Sequence, residues 1–227
     1  MVGRPAAAGL GLVRSGYEGG VSIAWQGMGM QPSVAVEGCR QSHATLLTAV
    51  GELTDDVARS PSLLPGWSIG HVLTHIARNG DSVVRRLGAA SQGRIVDQYV
   101  GGREGRDREI EDGAGRPAKE LLEDLRHSSA AVDQILLGYP PDAWERPTRH
   151  FSGRQEPAWS AVFARWREVE VHHVDLGFGY RPGDWPVELV EHWLPSTAQG
   201  LTGRADPHEL WAWLMGRAPA PELGPWA

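Results

Sequence analysis

The chain has 227 residues and a formal net charge of −6 at pH 7, so it is long enough to bury a core in one or two domains and too acidic to suggest nucleic acid as a partner. Cys39 is the single cysteine, which excludes an intramolecular disulfide. No apolar run approaches the roughly 20 residues of a membrane-spanning helix, and we predict a cytoplasmic protein that binds neither nucleic acid nor a membrane.

The first segment, residues 1–31, is predicted to be a poorly ordered extension. Its apolar patch, Ala6 to Val13, is short, and its flanking residues do not form a signal peptide. Met28 and Met30 stand near its end as alternative translation starts.

Two helices are predicted next. The first runs from about Ser33 to Ala58 and contains Cys39 as a small buried hydrophobe; its apolar stripe consists of Leu46, Leu47, Val50, Leu53 and Val57. The second begins after Ser68, a residue type that caps helix N-termini, and ends near Ala90. At 100° per residue, His75 lies at the edge of its apolar stripe, whereas His71 points nearly the opposite way. His75 is therefore the histidine expected to reach the interior.

A Gly- and Arg-rich connection from Gln92 to Arg116 follows, and loops of this length are usually functional or disordered. Two more long helices are predicted, from Pro117 to about Leu137 and from about Pro157 to Leu176–Gly177. The remainder has short helical patterns at Val187–Leu194 and Asp206–Met215 and no clearly alternating strands. The sequence therefore predicts a mainly α-helical protein built on a four-helix bundle.

The last of the four long helices carries a polar line beside its apolar face. Glu168 and His172 are four residues apart and share one side of that helix. Together with His75 they would form a His2Glu donor set, which suits a divalent metal, zinc by default, with one coordination position left open. The competing interpretation is a weak Glu–His surface pair, since this spacing is common by chance. Asp175 either orients His172 or caps the end of the helix.

Two arginines, Arg106 and Arg217, are candidates for binding an anionic substrate, because a guanidinium pairs with a carboxylate through two hydrogen bonds. The alternative for each is a solvated surface arginine. Eight tryptophans are expected to pack rather than to form a binding platform: Trp67, Trp144, Trp159, Trp166, Trp185, Trp193, Trp211 and Trp213.

Four segments together resemble a known family. Leu64–Asn79, with Gly-Trp-Ser-Ile-Gly-His-Val-Leu-Thr-His at its centre, and Arg167–Leu176, with Arg-Glu-Val-Glu-Val-His-His-Val-Asp-Leu, resemble the metal-binding domain of mycothiol-dependent maleylpyruvate isomerases. Arg106–Glu111 resembles the arginine-bearing loop of that family, and Glu209–Arg217 its C-terminal helix. The resemblance extends from about Ser33 to Ala227.

The resemblance implies a DinB-like four-helix bundle over residues 32–178, followed by a small α/β or helical domain over residues 179–227. That second domain looks shortened, since only Pro195 to Gly200 stands where the family has several strands. The resemblance also implies His75, Glu168 and His172 as ligands of zinc or another divalent metal. Arg106 and Arg217 would then be catalytic residues, although the shortening puts the placement of Arg217 in doubt.

The implied activity is the cis–trans isomerisation of maleylpyruvate to fumarylpyruvate, with mycothiol, a thiol of actinobacteria, as cosubstrate. The thiolate would add to the conjugated double bond, the resulting single bond would rotate, and elimination would release the trans isomer. The alternatives are a mycothiol S-transferase, a non-catalytic metal-binding interaction protein, and a zinc hydrolase, for which Glu170 points the wrong way to act as base. The partners implied are a small anionic substrate and mycothiol, and we expect a monomer or homodimer.

Overall fold

The structure is a computed structural model and describes residues 30–224. Most of the predicted N-terminal extension, with the alternative start at Met28, lies outside the described residues, as do residues 225–227. Within residues 30–224, no helix is both long enough and apolar enough to cross a membrane.

The described chain is mainly helical, with one small hairpin. The helices are α1 (Pro32–Ala49), α2 (Asp55–Arg59), α3 (Ile69–Ser91), α4 (Gly102–Ala114), α5 (Ala118–Leu137), α6 (Ala158–Asp175), α7 (Val187–Gln199) and α8 (Pro207–Leu214). The strands β1 (Pro147–Arg149) and β2 (Gln155–Pro157) pair in antiparallel register between α5 and α6. The four long helices α1, α3, α5 and α6 form the bundle, in which α3 packs against α5 and α6, and α1 packs against α6 and α5.

The start of α3 shows how local sequence fixes a helix that the site depends on. The Ser68 side chain accepts a hydrogen bond from the His71 backbone N–H, and the His71 ring accepts one from the Ser68 backbone N–H. This reciprocal cap satisfies two backbone donors that helix geometry leaves without partners. The predicted start of this helix is confirmed, and so are the predicted helices that correspond to α5, α6, α7 and α8.

The core runs along the bundle in two buried clusters. One contains Cys39, Leu87, Val132 and Phe163, and the other contains side chains such as Leu73 on α3 and Val169 on α6. Burial raises the pKa of the Cys39 thiol to about 12, so this residue is the buried hydrophobe that the sequence predicts and holds no thiolate at neutral pH.

The predicted end of the first helix is wrong. The first helix does not continue to Ala58: α1 ends at Ala49, and a separate turn, α2, begins behind the side-chain cap of Thr54. The apolar pattern continues across this point, so it does not reveal the interruption. Gly51 disfavours a helix here, and the Thr54 side chain caps a new one. One member of the proposed stripe, Val57, is accordingly exposed.

The connection from Gln92 to Arg116 is also not a structureless loop, because it contains α4. This helix follows Gly101, whose φ of 74° is in the left-handed region. It buries only Gly105, Ile110 and Ala114, and it packs against α3. Only three of its thirteen residues are buried, and only Ile110 is a large apolar residue. This pattern is too weak a periodic signal to predict the helix.

After α6 the described chain consists of helices and turns. A 3₁₀ segment, Gly200–Gly203, links α7 to α8, and residues 179–224 contain no strand. The division into a bundle over residues 32–178 and a second domain over residues 179–227 stays a prediction. The packing role predicted for the tryptophans fits Trp166, which is buried, but not Trp211 on α8, which is 64% exposed.

A close approach of α1 and α6 yields a prediction about stability. A Cβ at Gly38 would overlap the indole ring of Trp166, which is fully buried. We expect Gly38→Ala to lower the free energy of unfolding by about 1–3 kcal/mol, because the overpacking outweighs the gain in helix propensity. Gly88→Ala on α3 is the matched control, since its Cβ would lie 3.9 Å from the nearest heavy atom, Cδ1 of Ile135. Equal urea midpoints for the two variants would contradict this packing argument.

Candidate metal centre

Three side chains from two bundle helices meet at one point. His75 comes from α3, and Glu168 and His172 come from successive turns of α6. His75 Nε2 lies 3.1 Å from Glu168 Oε2 and 3.0 Å from His172 Nε2, while His172 Nε2 lies 3.5 Å from Glu168 Oε2. His75 is buried, and the other two side chains are largely buried.

The spacing of the three atoms fits a small divalent cation. Ligand atoms placed tetrahedrally at zinc's usual bond lengths of about 2.0–2.1 Å are separated by about 3.3 Å. The three observed separations lie on either side of that value. Two imidazoles and one carboxylate are also the donor types that zinc and similar ions prefer, and three protein ligands leave a fourth position open.

His172 is oriented by a neighbour on its own helix. Its Nδ1 lies 2.8 Å from Asp175 Oδ2, one turn further along α6. This contact places the ring hydrogen on Nδ1 and directs Nε2 towards His75 and Glu168, as is common for metal-binding histidines. Burial disfavours the charged ring, but the hydrogen bonds with Asp175 and Glu168 outweigh burial and raise the pKa of His172 to about 9.

His75 is held differently. Burial lowers its pKa to about 4, so the ring is neutral at pH 7. Arg106 on α4 places Nη2 3.2 Å from His75 Nδ1, and since arginine only donates, this nitrogen accepts. The edge of the ring also meets Trp67, with centroids 5.7 Å apart.

Glu168 completes the cluster as its anionic member. Burial acts to raise the pKa of this carboxyl group, but hydrogen bonds from His172 and His75 outweigh it and hold the pKa well below its usual range. The carboxylate therefore stays ionised at neutral pH and offsets the positive charge of His172.

The cluster opens into a cavity of about 260 Å³ between α3, α4 and α6. Apart from Glu168, its charged lining is cationic: Arg86, Arg103, Arg106, Arg165 and Arg167. Such a cavity in a low-dielectric interior favours an anionic ligand. The sequence analysis singled out Arg106 but missed Arg86 and Arg165. Arg86 lies eleven residues after His75 on α3, a spacing of about three helical turns that the sequence does contain.

The remaining candidates lie elsewhere. Arg217 is exposed, and among the described residues its guanidinium contacts only the Met215 carbonyl, so the structure does not bring it to the cluster. His71 caps α3, and the His173 ring stacks on Tyr180. Glu170 lies on the other side of α6, where Ser42 and Tyr180 donate hydrogen bonds to it.

Comparisons with known proteins indicate one family. The family model of the mycothiol maleylpyruvate isomerase N-terminal domain matches residues 39–177. The chain is similar to two crystal structures of the mycothiol-dependent maleylpyruvate isomerase: the enzyme itself, at 26% identity and a TM-score of 0.73, and a mutant with one histidine replaced by alanine, at 25% and 0.72. Each alignment covers 77% of this chain and 72% of the other.

A third similar structure is YfiT from Bacillus subtilis, described as a probable metal-dependent hydrolase with an unusual four-helix bundle topology. It is 16% identical with a TM-score of 0.52, and the alignment covers 80% of this chain and 94% of YfiT. At this identity the likeness concerns the fold alone, and the predicted helical bundle fold is confirmed. No curated protein matches the chain.

The cluster makes a direct prediction about metal content. We expect His75→Ala and His172→Ala each to lose tight binding of a divalent metal, because two ligands cannot replace three, while most helix content remains. The control is His71→Gln on α3, whose side chain faces Glu111 instead of the cluster. Elemental analysis of the dialysed proteins is the measurement, and one metal per chain in either alanine variant would reject the site.

The role of Asp175 can be separated from that of the ligands. We expect Asp175→Ala to weaken metal binding by about 10- to 100-fold without abolishing it, because His172 loses the group that orients its ring. Competition with a coloured chelator measures the affinity. Glu111→Ala removes the comparable carboxylate partner of His71 and should leave the affinity unchanged. If the two variants behave alike, Asp175 acts only at the end of α6.

Proposed function

The chain belongs to the mycothiol maleylpyruvate isomerase family, and on that premise we propose that it is a metal- and mycothiol-dependent cis–trans isomerase of a small unsaturated carboxylate such as maleylpyruvate. The proposal rests on one observation: His75, Glu168 and His172 bring three possible metal ligands together in a cavity lined by arginines. A site of this kind offers both an open metal position and a place for an anionic substrate.

His75, Glu168 and His172 would hold the metal, zinc by default. A bound divalent metal lowers the pKa of a thiol at its open position, so that the thiolate exists at neutral pH. The protein's own cysteine cannot serve as this nucleophile, since Cys39 is buried with a raised pKa. Mycothiol as an external thiol supplies the missing group.

The reaction is balanced without consumption of the thiol. Its sulfur adds to one carbon of the double bond, and the electron pair moves onto the conjugated carbonyl oxygen as an enolate. The former double bond is now single and rotates. When the enolate collapses, the carbon–sulfur bond breaks, and the trans isomer and the thiolate leave. Arg106, at the cavity wall, is placed to stabilise the enolate or a substrate carboxylate.

Metal coordination by His75 and the hydrogen bond from Arg106 to His75 exclude each other. A neutral imidazole that accepts a hydrogen bond at Nδ1 carries its own hydrogen on Nε2, and that nitrogen then has no lone pair for a metal. Coordination through Nε2 therefore requires the guanidinium of Arg106 to leave His75 Nδ1. Arg106 would then be available to bind the substrate.

The test is a metal analysis together with a maleylpyruvate-to-fumarylpyruvate assay with and without mycothiol. One metal per chain and thiol-dependent turnover, with the free thiol concentration unchanged, support the isomerase. Thiol that disappears as a stable adduct identifies a mycothiol S-transferase instead. Bound metal without either reaction would reject both activities and leave a metal-binding interaction protein. If the purified protein contains no metal, the proposed mechanism is wrong.

Arg106 provides a prediction that separates substrate binding from metal binding. We expect Arg106→Met to retain one metal per chain and to bind it somewhat more tightly, because the competing hydrogen bond to His75 is removed. The KM for the substrate should rise because an anion-binding group is lost. Arg126→Met, on the exposed surface of α5, is the control. Unchanged kinetics in the Arg106 variant would remove this residue from the site.

A further inference from the structure

One guanidinium of the cavity has charge and hydrogen-bonding capacity that the protein leaves unused. Arg86, on α3, lines the same cavity as His75 and is only 3% exposed. Its Nε and Nη1 are sealed from solvent and have no hydrogen-bond partner among residues 30–224. Burying a charge in this way costs free energy unless hydrogen bonds and an opposite charge compensate it.

The nearest carboxylate compensates Arg86 only in part. Glu156 on β2 places Oε1 3.6 Å from Arg86 Nη1, which is close enough for electrostatic attraction but too long for a hydrogen bond. The other oxygen of Glu156 accepts a hydrogen bond from Arg154 at 3.1 Å. Burial lowers the pKa of Arg86 despite the attraction of Glu156, which agrees with an incompletely neutralised charge.

The second buried arginine of the cavity shows the contrast. Arg165 is fully buried as well, but it donates hydrogen bonds to the Ile76 carbonyl, Asn79 Oδ1 and His43 Nε2. Among the described residues its Nη2 alone lacks a partner, so most of the hydrogen-bonding capacity of Arg165 is used within the bundle. Arg86 has no such partners and is therefore the buried arginine that is equipped to receive a ligand.

The position of Arg86 relative to the metal donors defines what it could contact. Eleven residues on a helix correspond to about 16 Å of rise and to nearly the same helix face, so His75 and Arg86 stand at opposite ends of one line along α3. Helical side chains lean towards the N-terminus, which for Arg86 is the direction of His75, and both side chains line the same cavity. A ligand bound at the metal donors would thus have its remote end near Arg86.

We propose that Arg86 is a specificity-determining residue, which binds a carboxylate at the end of the substrate remote from His75, Glu168 and His172, and so selects dicarboxylates over monocarboxylates. This inference rests on the proposed function, in which the substrate is an unsaturated carboxylate. A single carboxylate suits the site better than a phosphate dianion, because Glu156 stands 3.6 Å from the same guanidinium and would repel the second charge.

The experiment compares ligand pairs on metal-loaded protein in the absence of thiol, so that no turnover is needed. Succinate, glutarate and adipate are paired with butyrate, valerate and hexanoate, which have the same length but lack one carboxylate. Calorimetry gives the affinity ratio of each pair for the native protein, Arg86→Met and Glu156→Gln. Thermal unfolding and metal content check that each variant is folded and loaded.

We expect the native protein to prefer one dicarboxylate over its partner by about tenfold or more, the range for a charge-assisted hydrogen bond. Arg86→Met should bring that ratio close to one. Glu156→Gln should raise it, because the competing carboxylate is removed. The two variants should thus change the affinity ratio in opposite directions. If Arg86 and Glu156 were only a structural pair, both variants would weaken binding alike.

The outcomes separate this inference from the proposed function. Arg86-dependent preference in a protein that lacks isomerase activity keeps the carboxylate subsite and rejects only the reaction. Turnover of maleylpyruvate with no preference in the native protein, or with the same preference in Arg86→Met, overturns the subsite and keeps the reaction. If Arg86→Met fails to fold, a lower or unchanged ratio in Glu156→Gln overturns the proposal on its own, and a raised ratio supports it.

Discussion

A single buried guanidinium ties the four bundle helices together. Arg165, on α6, donates hydrogen bonds to the Ile76 carbonyl on α3 and to His43 on α1, and His43 in turn contacts Asp133 on α5 at 2.8 Å. Removing one member of such a buried charged network typically costs about 3–5 kcal/mol, because it leaves uncompensated polar groups. The bundle can therefore slide or rotate α6 against α3 only by breaking this network.

The geometry of the candidate metal centre depends on that constraint. Ile76 follows His75 directly, and Arg165 precedes Glu168 by one helical turn. The hydrogen bonds of Arg165 thus fix the register of the two segments that carry the three donors. The three donor atoms lie close together, but coordination through Nε2 still requires Arg106 to leave His75 Nδ1, so the cluster is only partly preorganised for a metal.

The sequence was sufficient for those features that follow from helical periodicity alone. The spacing of Glu168 and His172, and the position of His75 at the edge of an apolar stripe, need only the 3.6-residue repeat. The helix α4 and the surroundings of Arg86 could not be predicted in the same way. The first depends on packing of a largely polar segment against α3, and the second depends on which carboxylate a folded hairpin brings near. Both depend on tertiary packing, which the local sequence pattern does not show.

The arginines of the cavity come from the helices before residue 179, and not from the C-terminal segment. Arg217, which the sequence analysis predicted as an anion-binding and catalytic residue, is exposed after α8, whereas the cavity draws its arginines from α3, α4 and α6. Arg106 faces the metal donors, and Arg86 lies three helical turns along the cavity. A ligand with an anionic group at each end would then meet arginines of α3 and α4 within this cavity. On the proposal that Arg106 and Arg86 bind the two ends of the substrate, its selection depends on α3 and α4 rather than on Arg217.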